Sequence, residues 1–386
     1  MYDYMIVGAG VIGLNIAREI LFKKPDAKIV ILEKESDVGY HSSGRNSGVL
    51  HAGFYYTSNS LKAKFTRDGN RELSRYCESN GLKINRCQKV VVTKDASELE
   101  ALQILYERGI KNGVNVKIID EDELKSKFKN VKTYKKALYS PDTATVDPIE
   151  ILHHLKSELI KKGVEIRFNT PFKKGLEKEA KVLINAAGLY ADKIAKSFGF
   201  SKDYTIIPFK GIYLKYCNND MPINTNIYPV PNLKNPFLGV HYTITVDNTI
   251  KIGPTAIPAF WRENYKGLKN FNLQELIEIL SYELKLFATN AFGFRDLAFE
   301  EIKKYNKKYF TSLAASMVEN IDTKGFREWS KPGIRAQLLN TKTLELLQDF
   351  VVEADDKIIH ILNAVSPAFT SSMPFARWVV ENYVLK

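Results

Sequence analysis

The first 35 residues constrain this chain more than any other stretch. "DYMIVGAG" (Asp3 to Gly10) is an apolar run ending in glycine, "VIGLNIAREILFKK" (Val11 to Lys24) has the spacing of a helix, and "DAKIVILEKE" (Asp26 to Glu35) is a second apolar run ending in acid. The order predicts a βαβ unit that starts at the third residue. Gly8-Ala9-Gly10-Val11-Ile12-Gly13 falls at the strand-to-helix turn and matches G-x-G-x-x-G. Glycine there permits a tight turn and lets backbone approach a pyrophosphate, while the helix N-terminus offers N–H groups and positive dipole to the phosphates. Glu33 closes the second strand, where a carboxylate bonds ribose hydroxyls and disfavours a 2′-phosphate; Lys34 follows it. Gly8, Gly10, Val11, Ile12, Gly13, Glu33 and Lys34 are therefore predicted to hold a dinucleotide.

The rest of the chain must complete that unit. At 386 residues it exceeds the size at which a single core stops growing, so two domains are expected. Helices are predicted from Ser60 to Gly81, from Ser97 (as N-cap) to Gly113, and from Asp147 to Gly163 with Pro148 in the first turn. "KVVVTKD" (Lys89 to Asp95) and "KVLINAAG" (Lys181 to Gly188) read as strands. From about 206 to 256 alternating strands are broken by Pro and Asn, 272 to 325 is mainly helical, and "DFVVEA" and "KIIHILNA" form strands around Asp355-Asp356 before a last helix. The expected fold class is α/β (α+β overall): a Rossmann-like cofactor domain from 1–85, 140–205 and 330–386, with an inserted antiparallel-sheet substrate domain from 86–139 and 206–329.

Composition excludes several classes. Hydrophobic content of 45% and charged content of 26% are those of a globular protein. No apolar run approaches ~18 residues, and no secretory signal is expected. Cys77, Cys87 and Cys217 lack C-x-x-C spacing, which suits a reducing compartment and predicts no metal site. The formal charge of +12 would draw anions or an anionic membrane surface. No nucleic-acid motif accompanies the short basic run Lys303 to Lys308, so no nucleic-acid partner is expected. The expected location is cytoplasmic, with peripheral contact at the inner face of the membrane as an open alternative.

The glycine motif alone fits NAD or FAD. After Glu33, however, the chain does not continue with further alternating strands and helices but enters "SSGRNSGVLHAG" (Ser42 to Gly53). A polar, glycine-rich stretch of this kind lies along an extended buried cofactor, which favours FAD.

"HSSGRNSGVLHAGFYY" together with the N-terminal glycines resembles the FAD-dependent oxidoreductases of the D-amino-acid oxidase and glycerol-3-phosphate dehydrogenase superfamily. More narrowly, "NSGVLHAGFYY", "SLKAKF", "NAAGLYADKIA", "PFKGIY", "IYPVP", "PFLGVH", "GPTAI", "GIRAQ" and "NAVSPAFTSSMP" resemble, in order, the L-2-hydroxyglutarate dehydrogenase/oxidase family. They cover essentially the whole chain, with 265–325 the least distinct.

The resemblance implies FAD between two domains. Ser43, Arg45, Asn46, Ser47 and Gly48 would bond its polar groups, with Arg45 neutralising phosphate. Gly188 would permit close backbone approach, and Ser366, Pro367, Ala368 and Thr370 would face the flavin. It implies that His51 lies near the flavin ring and that His241 faces the substrate, so either histidine is a candidate base. Arginine grips a carboxylate through two parallel hydrogen bonds; Arg335 is expected to do so, with Lys210 and Arg262 as weaker substrate-binding candidates.

The implied reaction is oxidation of a small dicarboxylate 2-hydroxy acid, L-2-hydroxyglutarate, to the 2-oxo acid by hydride transfer to flavin N5, with quinone or oxygen as electron acceptor. An amino-acid or glycerol-3-phosphate oxidoreductase on the same fold, and a non-catalytic flavin-binding protein, are the alternatives.

Overall fold

A computed structural model describes residues 1–231 and 239–386 of the chain. Pro236, Phe237 and Leu238 of the "PFLGVH" segment lie outside the described residues. The N-terminal strand Tyr2–Val7 sits inside a six-stranded sheet, flanked in parallel by Ile29–Leu32 and Ala180–Asn185. Glu165–Arg167 extends the sheet on one side and Ile358–Asn363 on the other, and Val351–Ala354 adds an antiparallel edge through the Asp355-Asp356 turn.

The central strands read as unbroken apolar runs because both faces are covered. Ile6, Ile31, Ile184 and Ile359 meet helices Val11–Lys23, Pro148–Lys161 and Ser372–Val379 on one face. Met5, Val7, Val30, Leu32 and Leu183 pack on the other against Phe172, Ile194 and Phe198.

An eight-stranded sheet runs from Phe326–Trp329 through Leu214–Tyr216, Ile250–Gly253, His241–Ile244, Asn226–Pro229, Lys89–Val92 and Lys136–Ser140 to Lys117–Asp120. It is antiparallel except at one place: Lys89–Val92 runs parallel to Asn226–Pro229. The purely antiparallel expectation fails there because these two strands are more than a hundred residues apart and no hairpin sets their direction.

Strands Tyr204–Gly211 and Gly333–Asn340 form an eight-residue antiparallel ladder with Phe209 opposite Arg335. This pairing joins stretches that the sequence reading had divided between the two domains. A smaller correction concerns the helix after Asp95: Ser97 is not its cap, because Asp95 accepts the Ser97 N–H at 2.9 Å and opens a short 3-10 turn ahead of helix Leu99–Lys111. Among the described residues, no helix is long and apolar enough to cross a membrane.

Candidate active site

A cavity of about 690 Å³ begins at the glycine turn and ends beside the Tyr204–Gly211/Gly333–Asn340 ladder. Its volume lies within the ~300–1,000 Å³ usual for ligand and cofactor sites. At the first end the backbone has no room for side chains. Gly8 has φ +102°, and a Cβ there would stand 2.7 Å from the Ala186 carbonyl oxygen. A Cβ on Gly13 would stand 2.1 Å from the Gly8 carbonyl oxygen. Gly10, Val11 and Ile12 bring the N-terminus of helix Val11–Lys23 to the cavity wall, with its positive dipole end turned inward. Glu33 lines the same end. Its carboxylate accepts the Ala9 N–H at 2.9 Å and the Glu35 N–H at 3.0 Å, leaving about two of its four lone-pair sites for hydroxyl groups.

The Ser42–Ser47 stretch runs along the wall, and several of its polar groups are already engaged. Ser43 Oγ accepts the Val11 N–H at 3.0 Å. Arg45 donates from Nε to the Tyr40 carbonyl at 2.5 Å and from Nη1 to the Pro332 carbonyl at 3.2 Å, and its guanidinium lies 4.4 Å from the Tyr265 ring centre. Asn46 donates to the Ser43 carbonyl at 2.7 Å and accepts the Gly48 N–H at 2.9 Å. Arg45 and Asn46 thus brace the loop while lining the cavity. Gly48 and Gly13 support the wall from behind, outside its lining.

Lys34 lines the wall, but its ammonium is paired with Glu35 and, at 2.7 Å, with Glu263. That ammonium occupies the middle of the Glu35, His41 and Glu263 group, the cluster of metal-capable side chains found among the described residues. Gly188, Ser366, Pro367, Ala368 and Thr370 complete the opposite wall. Thr370 Oγ1 donates to the Val49 carbonyl and accepts the His51 N–H, both at 3.2 Å, and so ties the C-terminal turn to the strand that presents His51.

His51 and Arg335 line the second end. Burial, then the neighbouring Lys89, His241 and Arg335, hold the His51 imidazole well below its ordinary 6.5. It is therefore neutral at physiological pH and available as a base. His51 Nδ1 lies 3.4 Å from Lys89 Nζ. His241 stands behind this pair, outside the cavity lining. Its Nδ1 bonds the Gly239 carbonyl at 2.8 Å, its ring stacks on Tyr228 at 3.7 Å, and burial pushes its pKa down to about 3.

Two expected substrate ligands are elsewhere. Arg262 is fully buried and clasps Asp192 through Nη1–Oδ1 at 2.6 Å and Nη2–Oδ2 at 2.9 Å, with Nη1 also on the Leu189 carbonyl. Both Nη atoms are engaged by the fold, and Nε, which has no hydrogen-bond partner among the described residues, is sealed in the interior 4.0 Å from Glu275. Lys210 alternates with Phe209 and Gly211, which line the cavity, and points instead to Asn264 Oδ1 at 3.1 Å.

Two lysines near this end, neither of them in the cavity lining, escaped the sequence reading. Lys89 is wholly buried, 4.0 Å from the Tyr228 ring centre, and burial lowers it to about 7. Lys62, in the helix Leu61–Ser79, is also buried; burial and then the Arg335 charge lower it to about 8. Among the described residues neither ammonium has a carboxylate in salt-bridge contact. Burial likewise lowers the Arg335 guanidinium from its ordinary value, with the Tyr213 and Tyr56 hydroxyls beside it. The one available signal for Lys62 was its place in "SLKAKF".

The profile of the FAD dependent oxidoreductase family called DAO matches residues 3–382. The chain is 33% identical to L-2-hydroxyglutarate dehydrogenase of Escherichia coli K12, over 99% of this chain and 93% of that one. It is 32% identical to the human mitochondrial L-2-hydroxyglutarate dehydrogenase, over 98% and 88%. Among solved structures, dithionite-reduced L-alpha-glycerophosphate oxidase from Mycoplasma pneumoniae with FAD bound superposes with a TM-score of 0.75 at 21% identity, covering 98% of this chain and 94% of that one. Glycine oxidase from Geobacillus kaustophilus superposes at 0.69 and 16% identity, covering 100% and 94%. The glycine cradle, the helix end at Gly10 and the Glu33 carboxylate suit the two ends of a dinucleotide, and the chain belongs to the DAO family of FAD dependent oxidoreductases.

Proposed function

We propose that the protein oxidises L-2-hydroxyglutarate, a dicarboxylate 2-hydroxy acid, to 2-oxoglutarate. The observation that carries this reading is His51 and Arg335 together in the lining of one end of the cofactor cavity, with the Lys62 charge beside Arg335 and Lys89 Nζ 3.4 Å from His51 Nδ1. A buried ammonium such as that of Lys62 is costly until an anion arrives, and a substrate with two carboxylates brings two negative charges. The names of the relatives support the same choice.

FAD, when bound, supplies the two-electron oxidant that takes the hydride from the substrate Cα. Gly8 to Ile12, Glu33, Ser43, Ser47, Gly188 and the 366–370 turn would hold it. Arg335 grips the carboxylate next to the reacting carbon, and Lys62 adds attraction for the same end. His51 takes the hydroxyl proton at Nε2, since Nδ1 faces Lys89. Only the neutral amine of Lys89 can accept the Nδ1 proton; the ammonium would donate to Nδ1 and leave Nε2 protonated. Burial, by bringing Lys89 to about 7, makes this relay available near neutral pH. The hydroxyl thus loses its proton to the protein as the carbonyl forms.

Two measurements test this. Anaerobic addition of L-2-hydroxyglutarate should bleach the flavin band, while the D-enantiomer, glycerol 3-phosphate and amino acids leave it oxidised; a band that survives the L-enantiomer rejects the substrate. The pH profile of kcat/KM should rise through about 7 as Lys89 loses its proton. Lys89→Met should flatten that limb and cost about 10²-fold in kcat. A profile already flat in the unmodified enzyme would remove Lys89 from the reaction.

The electrons then leave to a quinone or to oxygen. Turnover with a soluble quinone analogue without air, against oxygen uptake without quinone, separates the two. A quinone acceptor brings the enzyme to the cytoplasmic face of a membrane, for which the net charge of +12 is suited.

A further inference from the structure

Helix Leu273–Thr289 places its residues against the usual rule. Its buried side holds Glu275 and Glu283 beside Ile279 and Leu286. Leu273, Ile277 and Leu284 are 58%, 62% and 66% exposed, and Phe287 is exposed as well. With the half-buried Leu280 they recur at steps of four and three, which aligns them as one stripe down one side of the helix. The next helix, Phe294–Lys303, widens the stripe: the Phe299 ring lies 5.9 Å from that of Phe287, and Ile302 is exposed. Single exposed apolar residues are ordinary, but a contiguous patch marks an interaction surface.

Charge sorts by sign around this patch. Lys266 and Lys269 before it, Lys285 and Arg295 along it, and Lys303, Lys307 and Lys308 beyond it are all exposed. Between 260 and 308, Asp296 is the one fully exposed acid. Of the others, Glu263, Glu275, Glu283 and Glu301 are buried, with Glu275 paired to Lys193 at 2.8 Å and Glu301 to Lys304, while the half-exposed Glu278 and Glu300 lie 3.8 Å from Arg262 and 3.3 Å from Lys303. Burial raises the Glu283 carboxyl to about 8, so it enters the interior largely uncharged.

We propose that the face formed by helices Leu273–Thr289 and Phe294–Lys303 seats the protein on an anionic lipid bilayer. The apolar stripe enters the headgroup–acyl boundary, and the lysines and Arg295 around it meet the anionic headgroups with their stems laid along apolar surface. A second copy of the chain fits this face poorly, because a two-fold interface would set one positive rim against the other. The quinone reading above supplies the motive for such contact, but binding is read without turnover, so failure of the substrate or acceptor assignment leaves this proposal standing.

The test is flotation of the FAD-loaded protein with phosphatidylcholine vesicles, with and without phosphatidylglycerol. The protein should float with the anionic vesicles, stay behind with the neutral ones, and be released by high salt. The double variant Ile277→Glu/Leu284→Glu should lose flotation. Each basic residue removed, as in Lys303→Ala and Lys307→Ala, should lower partitioning about fivefold. Flavin absorbance and turnover with a soluble dye acceptor should be unchanged in all of them. A wild-type protein that does not float, or a double variant that floats equally well, overturns the proposal. A dimer in light scattering that the double variant splits would reassign the face to self-association and overturn it too.

Discussion

Replacing Arg335 with Met should lower kcat/KM for L-2-hydroxyglutarate by about 10²–10³-fold, the loss that follows when one partner of a buried, hydrogen-bonded charge pair is removed. On the proposed role the loss should appear in KM and kcat together, because Arg335 would both attract the carboxylate and fix the angle at which the Cα–H faces the oxidant. Arg335→Lys should recover little of it. An ammonium is a point charge and lacks the planar fork that sets orientation. Flavin content should stay at the wild-type level. Lys62→Met should cost less, mostly in KM, since Lys62 adds charge without that fork. Steady-state kinetics with a dye acceptor checks each case. An Arg335→Lys enzyme with near-normal kcat would show that only charge is needed at this position, and would undo the bidentate reading.

What the sequence disclosed here follows the range of the forces involved. The Gly8–Gly13 turn is a local device: its steric demand lies in a few consecutive residues, so the pattern carries it, and the structure shows why a Cβ at either end would collide. Glu33 was legible for the same reason. Arg335 was reachable through resemblance, because "GIRAQ" travels as a unit.

Lys89 and Lys62 were not legible. Each looks like an ordinary surface lysine at the start of its element. Lys89 is buried because its strand runs between Asn226–Pro229 and Lys136–Ser140, pairings that no local pattern announces. Arg45 and Asn46, expected to bond the cofactor, line the wall, and donors of both turn back on the Tyr40, Pro332 and Ser43 carbonyls. A loop this polar must first satisfy its own backbone. The antiparallel character of the second sheet was legible from hairpin-like alternation; its one parallel pair was not.

Arg262 shows the same limit from the other side, and it leads to the largest stability effect expected in this protein. Its guanidinium is fully buried against Asp192, seventy residues earlier, so the sequence reading had no reason to pair them and offered Arg262 to the substrate instead. Asp192 Oδ2 also accepts the Ile206 N–H at 3.1 Å, and the Arg262 backbone N–H donates to Glu275 at 3.0 Å. The pair thus binds the "NAAGLYAD" turn, the Tyr204–Gly211 strand and the Leu273–Thr289 helix at one point. Arg262 holds the Asp192 carboxyl below its ordinary value against the opposing effect of burial.

Asp192→Asn keeps an acceptor for Ile206 but removes the buried guanidinium's hydrogen-bonded countercharge and leaves it to the more distant Glu278 and Glu275 carboxylates, at 3.8 and 4.0 Å. It should cost about 3–5 kcal/mol of stability, read as a lower denaturant midpoint, and Arg262→Met should cost a similar amount by leaving the buried carboxylate to the exposed Lys196, 3.9 Å away. The double variant Asp192→Asn/Arg262→Met removes both charges. It should be more stable than either single variant, because most of the cost of each lies in the unpaired charge it leaves behind rather than in the lost attraction. If the two single losses simply add in the double variant, the pair is not coupled, and Arg262 must be held by the Leu189 carbonyl and packing instead.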